Sequence, residues 1–129
     1  SEGCCNDFRE HNPFCYRAQC LETDRQLAQR LGLEDAQWGV AFQSRMGRRW
    51  LEPYSDREVV RLGREHKRVV VVAPSFVSEN LETLSELDEK LRELFLQSGG
   101  REFHRVPQLN DLESWVRGSV RLLESRSQL

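Results

Sequence analysis

The sequence lacks any apolar run of the roughly 18 residues that a helix needs to cross a bilayer, so we expect no membrane-spanning segment. It also lacks the charged start, apolar stretch and small-residue cleavage site of a secretory signal. Basic residues are not in excess, and a net charge of −2 argues against general binding of nucleic acid. We therefore expect a soluble protein of cytoplasmic type, and association with a membrane surface stays open.

Cysteine is absent after residue 20, because all four cysteines lie near the start of the chain: Cys4, Cys5, Cys15 and Cys20. Adjacent cysteines pair only under strain, and disulfides are rare in cytosolic proteins, so a metal site explains the clustering better. Four thiolates suit zinc or a 2Fe–2S cluster, although the C-x-x-C pairs common in zinc sites are missing. A cluster, zinc and reduced thiols all remain open at this point.

Helix and strand patterns alternate in the first half of the chain. Apolar residues at the helical period predict a helix over Tyr16–Leu31, and the short apolar segment Trp38–Phe42 fits a buried strand. Ser55 and Glu58 have the spacing of a capping box, which predicts a short helix to about Arg64.

The second half begins with four consecutive valines, Val69–Val72, which are typical of a strand in the middle of a parallel sheet covered on both faces. A long helix is predicted from near Ser78 to Gly99, followed by an edge strand over Glu102–Val106 and an amphipathic helix after Pro107. The alternation predicts an α/β fold with an open, mostly parallel sheet and flanking helices. We expect one such domain over residues 16–129, preceded by a cysteine-rich loop over residues 1–15.

The long predicted helix, called the acidic helix below, carries Glu79, Glu82 and Glu86 on one face. Glu89 and Glu93 continue the same stripe, so periodicity alone favours a solvated polar face. The first three glutamates directly follow the valine strand, where an open α/β sheet has its ligand crevice. Carboxylates in that position could accept a proton or hold a hard divalent cation.

Four segments resemble the ferrochelatase family, in family order and at near-family spacing. They are Phe42–Gly47, Trp50–Tyr54, Pro74–Leu87 and Leu109–Asn110. The similarity covers about residues 13–124 and looks like the C-terminal half of the family. It implies one of two Rossmann-like lobes around a porphyrin cleft, in a bacterial-type cytoplasmic enzyme that inserts ferrous iron into protoporphyrin IX to make haem.

The resemblance also implies roles for individual residues. Glu82 would lie nearest the porphyrin and accept pyrrole protons or guide the metal, with Glu86 and Glu79 continuing the polar path. Substrate-binding residues would neutralise the porphyrin propionates or provide an apolar wall: Ser44, Arg45, Arg48, Arg49 and Trp50. A solvated basic loop is an equally simple interpretation of the arginines. The four cysteines resemble the internal segment by which some family members bind a 2Fe–2S cluster.

Two departures from the family shape the expectation of activity. The histidine that the family carries in a His-Gly-Leu-Pro type strand is not in this sequence, and Asn80 stands where relatives often have His or Cys. We therefore expect the chain alone to be inactive and to need the N-terminal lobe of the same enzyme. The alternatives are a chelatase for another tetrapyrrole or for cobalt, and a non-enzymatic iron–sulfur or zinc module.

Overall fold

The computed structural model describes residues 12, 14–44, 50–66 and 68–126. Two strands and several helices alternate along this part of the chain, which confirms the predicted α/β class. The elements are helix α1 (Tyr16–Leu31), a 3₁₀ turn (Asp35–Gln37), α2 (Ser55–Glu65), strand β1 (Arg68–Val71), a π-helical segment (Glu82–Lys90) continued by α3 (Leu91–Gln97), β2 (Glu102–Arg105) and α4 (Glu113–Arg126). Leu81, the π-helical segment and α3 together form the acidic helix. No helix in these residues is long and apolar enough to span a membrane.

Helix α1 has the bounds that the sequence predicts, and Gly32 ends it in the left-handed conformation at φ 68°. The N–H of Gly32 bonds to the carbonyl of Gln29 (3.1 Å), and that of Leu33 bonds to the carbonyl of Ala28 (3.0 Å). These two bonds form a Schellman motif, which satisfies carbonyls that the helix end would otherwise leave unpaired.

The predicted strand over Trp38–Phe42 is wrong for the described structure. Only Phe42 pairs, in an isolated parallel bridge with Tyr54, and residues 38–41 have no regular structure. Phe42 is the one buried member of the segment, and its ring lies 6.5 Å from that of Tyr16. The apolar run thus marks one packed aromatic residue, which a five-residue pattern cannot distinguish from a strand.

The capping box predicted at the start of α2 is also wrong, although the helix itself is confirmed. Ser55 is already helical, Tyr54 occupies the capping position, and no side chain caps the helix. Glu58 pairs with Arg61 instead, at 2.8 Å between carboxylate and guanidinium. The carboxylate of Glu58, which the capping box would need, therefore bonds to an arginine one turn further along the helix.

Strands β1 and β2 pair in parallel, with Val69 opposite Phe103 and Val71 opposite Arg105. Both strands are confirmed, but the valine strand is not covered on both faces in the described residues. Val69 and Val71 pack against the core, whereas Val70 is 61% exposed on the other face. Successive side chains of a strand point to opposite faces, so one packed layer buries only every second valine.

The core lies between this sheet and the helices α2 and α3. Its buried members are Val59, Leu87, Leu91, Phe95 and Phe103. Gly63 of α2 allows a close approach to α3, because a Cβ there would lie only 2.6 Å from the carbonyl oxygen of Phe95. The packing of α2 on α3 fixes the far end of the acidic helix, and so it supports the turns that carry the glutamates.

The acidic helix begins at Leu81, three residues later than the sequence predicts. Asn80 explains this start, because its Oδ1 accepts the N–H of Glu82 (2.9 Å) and that of Thr83 (3.1 Å). In return the N–H of Asn80 donates to Oγ1 of Thr83 at 3.0 Å, which completes a reciprocal cap. Helix α4 is confirmed too, but its apolar face is not buried among the described residues, and Leu123 is 69% exposed.

Candidate active site

A cleft of about 370 Å³ lies between the segment after Phe42 and the first turns of the acidic helix. Polar and charged side chains form most of its lining: Gln43, Ser44, Ser55, Asp56, Glu82, Glu86, Leu87, Lys90 and Leu91. The segment after Phe42 and the start of the acidic helix therefore meet, and they enclose a space that can hold polar groups.

Ser44 brings two of the predicted carboxylates together. Its Oγ lies 3.1 Å from Oε2 of Glu82 and 3.3 Å from Oε2 of Glu86. Nε2 of Gln43 also donates to Oε2 of Glu82, at 3.1 Å. Because a hydroxyl has a single proton, Ser44 can donate to only one carboxylate at a time. Both glutamates therefore keep a carboxylate oxygen that can accept a proton.

The backbone around Ser44 is held in an unusual conformation. Ser44 has a φ of 56°, in the left-handed region that few non-glycine residues adopt. Nε1 of Trp50 donates to the carbonyl oxygen of Gln43 at 2.7 Å, which ties Trp50 to the residue before Ser44. Residues held in such sparsely populated conformations cluster at functional sites, where the surrounding structure keeps them in place.

The structure gives Glu79 different partners from those of Glu82 and Glu86. Its Oε2 accepts the hydroxyl of Thr83 (2.6 Å), and its Oε1 accepts the N–H of Gln108 (3.1 Å) and pairs with Arg105 (3.0 Å). These bonds, with that from Thr83 contributing most, lower the pKa of Glu79 from its ordinary value. Glu79 is therefore a stably ionised group at neutral pH.

The remaining predicted residues fall into two groups. Trp50 is partly exposed beside the cleft segment, and the half-buried cysteines Cys15 and Cys20 lie immediately before α1 and in its second turn. The other predicted residues lie outside the described part of the chain: Cys4, Cys5, Arg45, Arg48 and Arg49. The described ranges contain no group of three or more His, Cys, Asp or Glu side chains placed to hold a metal ion.

Comparison with known proteins decides the family. The family model described as Ferrochelatase matches residues 3–127. The chain belongs to the ferrochelatase family. It is 44% identical over 117 residues to the ferrochelatase of Pseudomonas entomophila, which covers 88% of this chain and 35% of that protein. It is 40% identical over 127 residues to that of Coxiella burnetii, covering 97% of this chain and 36% of the relative. The chain thus spans about a third of the length of these curated ferrochelatases.

Sequence reasoning missed several residues that shape this member of the ferrochelatase family. Asn80 caps the acidic helix, a role for which asparagine before an apolar periodic segment is a recognisable signal. Gln43 bonds to Glu82, and Arg105 pairs with Glu79 across more than twenty positions of sequence. Gln43 and Arg105 carry no local signal of their roles, because their partners come from distant segments.

Proposed function

We propose that this chain is part of a ferrochelatase that inserts ferrous iron into protoporphyrin IX to form protohaem. The observation that carries the proposal is the convergence of Glu82 and Glu86 on Ser44 in the cleft, within the segments that resemble the family. The reaction releases two pyrrole protons as a divalent cation enters the ring. Two adjacent carboxylates can accept both protons, and their negative charge favours approach of the cation.

Individual roles follow from this geometry. Glu82 accepts the first proton, because Ser44 and Gln43 orient its Oε2 by donating hydrogen bonds. Glu86 shares Ser44 and accepts the second. The substrate-binding residues act through charge and apolar contact, as the resemblance implies: Ser44, Arg45, Arg48, Arg49 and Trp50. Glu79 has other partners, and another role is inferred for it below.

The proposal includes a second lobe, with the N-terminal part of the same enzyme completing the site in the bacterial cytoplasm. The test is ferrous insertion into protoporphyrin, followed by loss of porphyrin fluorescence under anaerobic conditions, for the complete protein and for this chain alone. We expect steady insertion by the complete protein and only the uncatalysed rate for the chain. Equal rates for the two would contradict the need for a second lobe. Insertion of cobalt but not iron by the complete protein would favour the alternative chelatase.

We also propose that Cys4, Cys5, Cys15 and Cys20 bind a 2Fe–2S cluster. Cys15 and Cys20 fit it chemically, since thiolates are the usual ligands of such clusters, and the two cysteines lie five residues apart at the start of α1. A bound cluster supplies one-electron chemistry. Cys15 would additionally tie α1 to the preceding loop, because its position is immediately before the helix.

The cluster is tested by the visible absorption spectrum of anaerobically purified complete protein, with iron and acid-labile sulfide measured on the same sample. We expect sulfur-to-iron charge-transfer bands and equal iron and sulfide, both lost in Cys20→Ser. The matched control Ser85→Ala, far from α1 in sequence, should keep the spectrum. A protein that stays colourless after reconstitution with iron and sulfide would exclude the cluster, and zinc analysis would then decide between a zinc site and reduced thiols.

A further inference from the structure

The loop before the acidic helix is joined to the segment after β2 by three hydrogen bonds. The N–H of Glu79 donates to Oδ1 of Asn110 (2.9 Å), and the N–H of Asn110 donates to the carbonyl of Val77 (2.9 Å). The N–H of Gln108 donates to Oε1 of Glu79 at 3.1 Å. Asn110 has a φ of 47°, a left-handed conformation that asparagine tolerates better than most residues. At this turn Asn110 therefore bonds to Glu79 through its side chain and to Val77 through its backbone.

Arg105 adds charge to the same junction. Its side chain is only 6% exposed and pairs with Glu79 at 3.0 Å and with Asp88 at 3.5 Å. Asp88 in turn pairs with Arg92, whose guanidinium also donates to the carbonyl of Phe103 at 2.6 Å. A buried guanidinium keeps its place only with anionic partners, so Arg105 and its two acids form one unit.

Glu79 lies just before the π-helical segment, and Asp88 lies near the end of that segment. Arg105 therefore holds both sides of the segment that carries Glu82 and Glu86 against the end of β2. Glu79 passes this restraint on, because its Oε2 accepts from the buried hydroxyl of Thr83, the neighbour of Glu82. This bond holds the helix turn from which the side chain of Glu82 projects.

We propose that Arg105 and Asn110 are positioning residues, which hold Glu79 and thereby set the orientation of Glu82 and Glu86 in the cleft. On this view Glu79 anchors the helix and accepts no substrate proton. The hydrogen bonds that lower the pKa of Glu79 agree with this anchoring role, because they hold its carboxylate in place and make it a weaker base. The catalytic consequence rests on the proposed function, whereas the structural restraint does not.

The test uses the complete protein and two substitutions that remove separate parts of the restraint. Asn110→Gly keeps a residue suited to the left-handed backbone and removes only the acceptor for the Glu79 N–H. Arg105→Gln removes the cation. Hydrogen exchange measured by mass spectrometry should be about tenfold faster in peptides covering residues 78–87 of both variants, the change expected from losing one hydrogen bond. If Arg105→Gln does not fold, Asn110→Gly alone decides.

Catalysis gives the second measurement. We expect kcat for iron insertion to fall about tenfold to a hundredfold in both variants, with KM for the porphyrin changed less than about twofold, because binding groups stay while the acceptors are misaligned. Asn110→Asp keeps an acceptor oxygen, so it should restore most of the slow hydrogen exchange in residues 78–87 and most of kcat. The matched control Arg117→Gln removes an exposed arginine that pairs with Glu113 along α4, and it should change neither.

The two measurements separate the possible failures. Unchanged exchange in residues 78–87, or acceleration spread equally over α1 and α4, overturns the positioning roles whatever the activity. Faster local exchange with an unchanged kcat also overturns them, because the restraint would then be structural only. A wild-type protein that inserts no iron refutes the proposed function, and the exchange pattern still decides whether Arg105 and Asn110 hold the acidic helix.

Discussion

Replacing Glu82 with glutamine is expected to lower the rate of iron insertion by the complete protein by about 10²- to 10⁴-fold, the range for loss of a positioned proton acceptor. Glutamine keeps the shape of the side chain, but its amide cannot take up a pyrrole proton. Its amide oxygen can still accept from Ser44 and Gln43, as Oε2 of Glu82 does, so the loss is specific to the proton acceptor. Stopped-flow porphyrin absorbance with ferrous iron under anaerobic conditions measures the effect as kcat and KM separately.

Glu89 provides the matched control for this prediction. It lies on the same helix and the same predicted stripe, yet it is exposed and does not line the cleft. Glu89→Gln should therefore leave the rate within about twofold, as expected for an exposed surface substitution. Equal losses in the two variants would mean that net charge on the helix matters and not a specific acceptor. If Glu82→Gln had no effect while cysteine substitutions abolished function, the non-enzymatic iron–sulfur module would be favoured.

The elements that the sequence predicts well are those with a long or strongly biased pattern. Helix α1 repeats apolar residues over four turns and ends at a glycine, and the run of four valines, three of which lie in β1, strongly favours an extended conformation. Trp38–Phe42 is too short to show a period, and only Phe42 is packed. The π-helical segment gives no sequence signal either, because its hydrogen-bond register depends on how both ends of the helix are held.

The candidate site likewise has features that the sequence predicts and features that it does not. Helical spacing puts Glu82 and Glu86 on one face, and the structure brings them to one hydroxyl. The same spacing includes Glu79, but its partners are Arg105 at the end of β2 and Gln108 in the segment that follows. Periodicity describes one helix at a time, so it cannot reveal a partner supplied by another strand. Tertiary contacts of this kind decide which acid of a stripe is free to react.

The second large effect concerns the packing that supports the acidic helix. Phe95→Ala is expected to lower the free energy of unfolding by about 3–5 kcal/mol, through lost apolar burial and the cavity left behind. The Phe95 side chain is fully buried, and its ring lies 5.9 Å from that of Phe103 on β2. A cost of this size is a large part of the roughly 5–15 kcal/mol that stabilises a typical domain. Urea unfolding followed by circular dichroism measures it.

Leu96, the next residue on α3, separates burial from helix propensity in this prediction. Its side chain is 45% exposed, so Leu96→Ala should cost less than about 1 kcal/mol, because little apolar surface is lost and alanine favours helix. Similar costs for the two variants would show that Phe95 does not hold α3 against β2. The expected difference would instead mean that the ring connects the sheet to the helix on which Glu82 and Glu86 are placed. A loosened core should then weaken iron insertion even in molecules that remain folded.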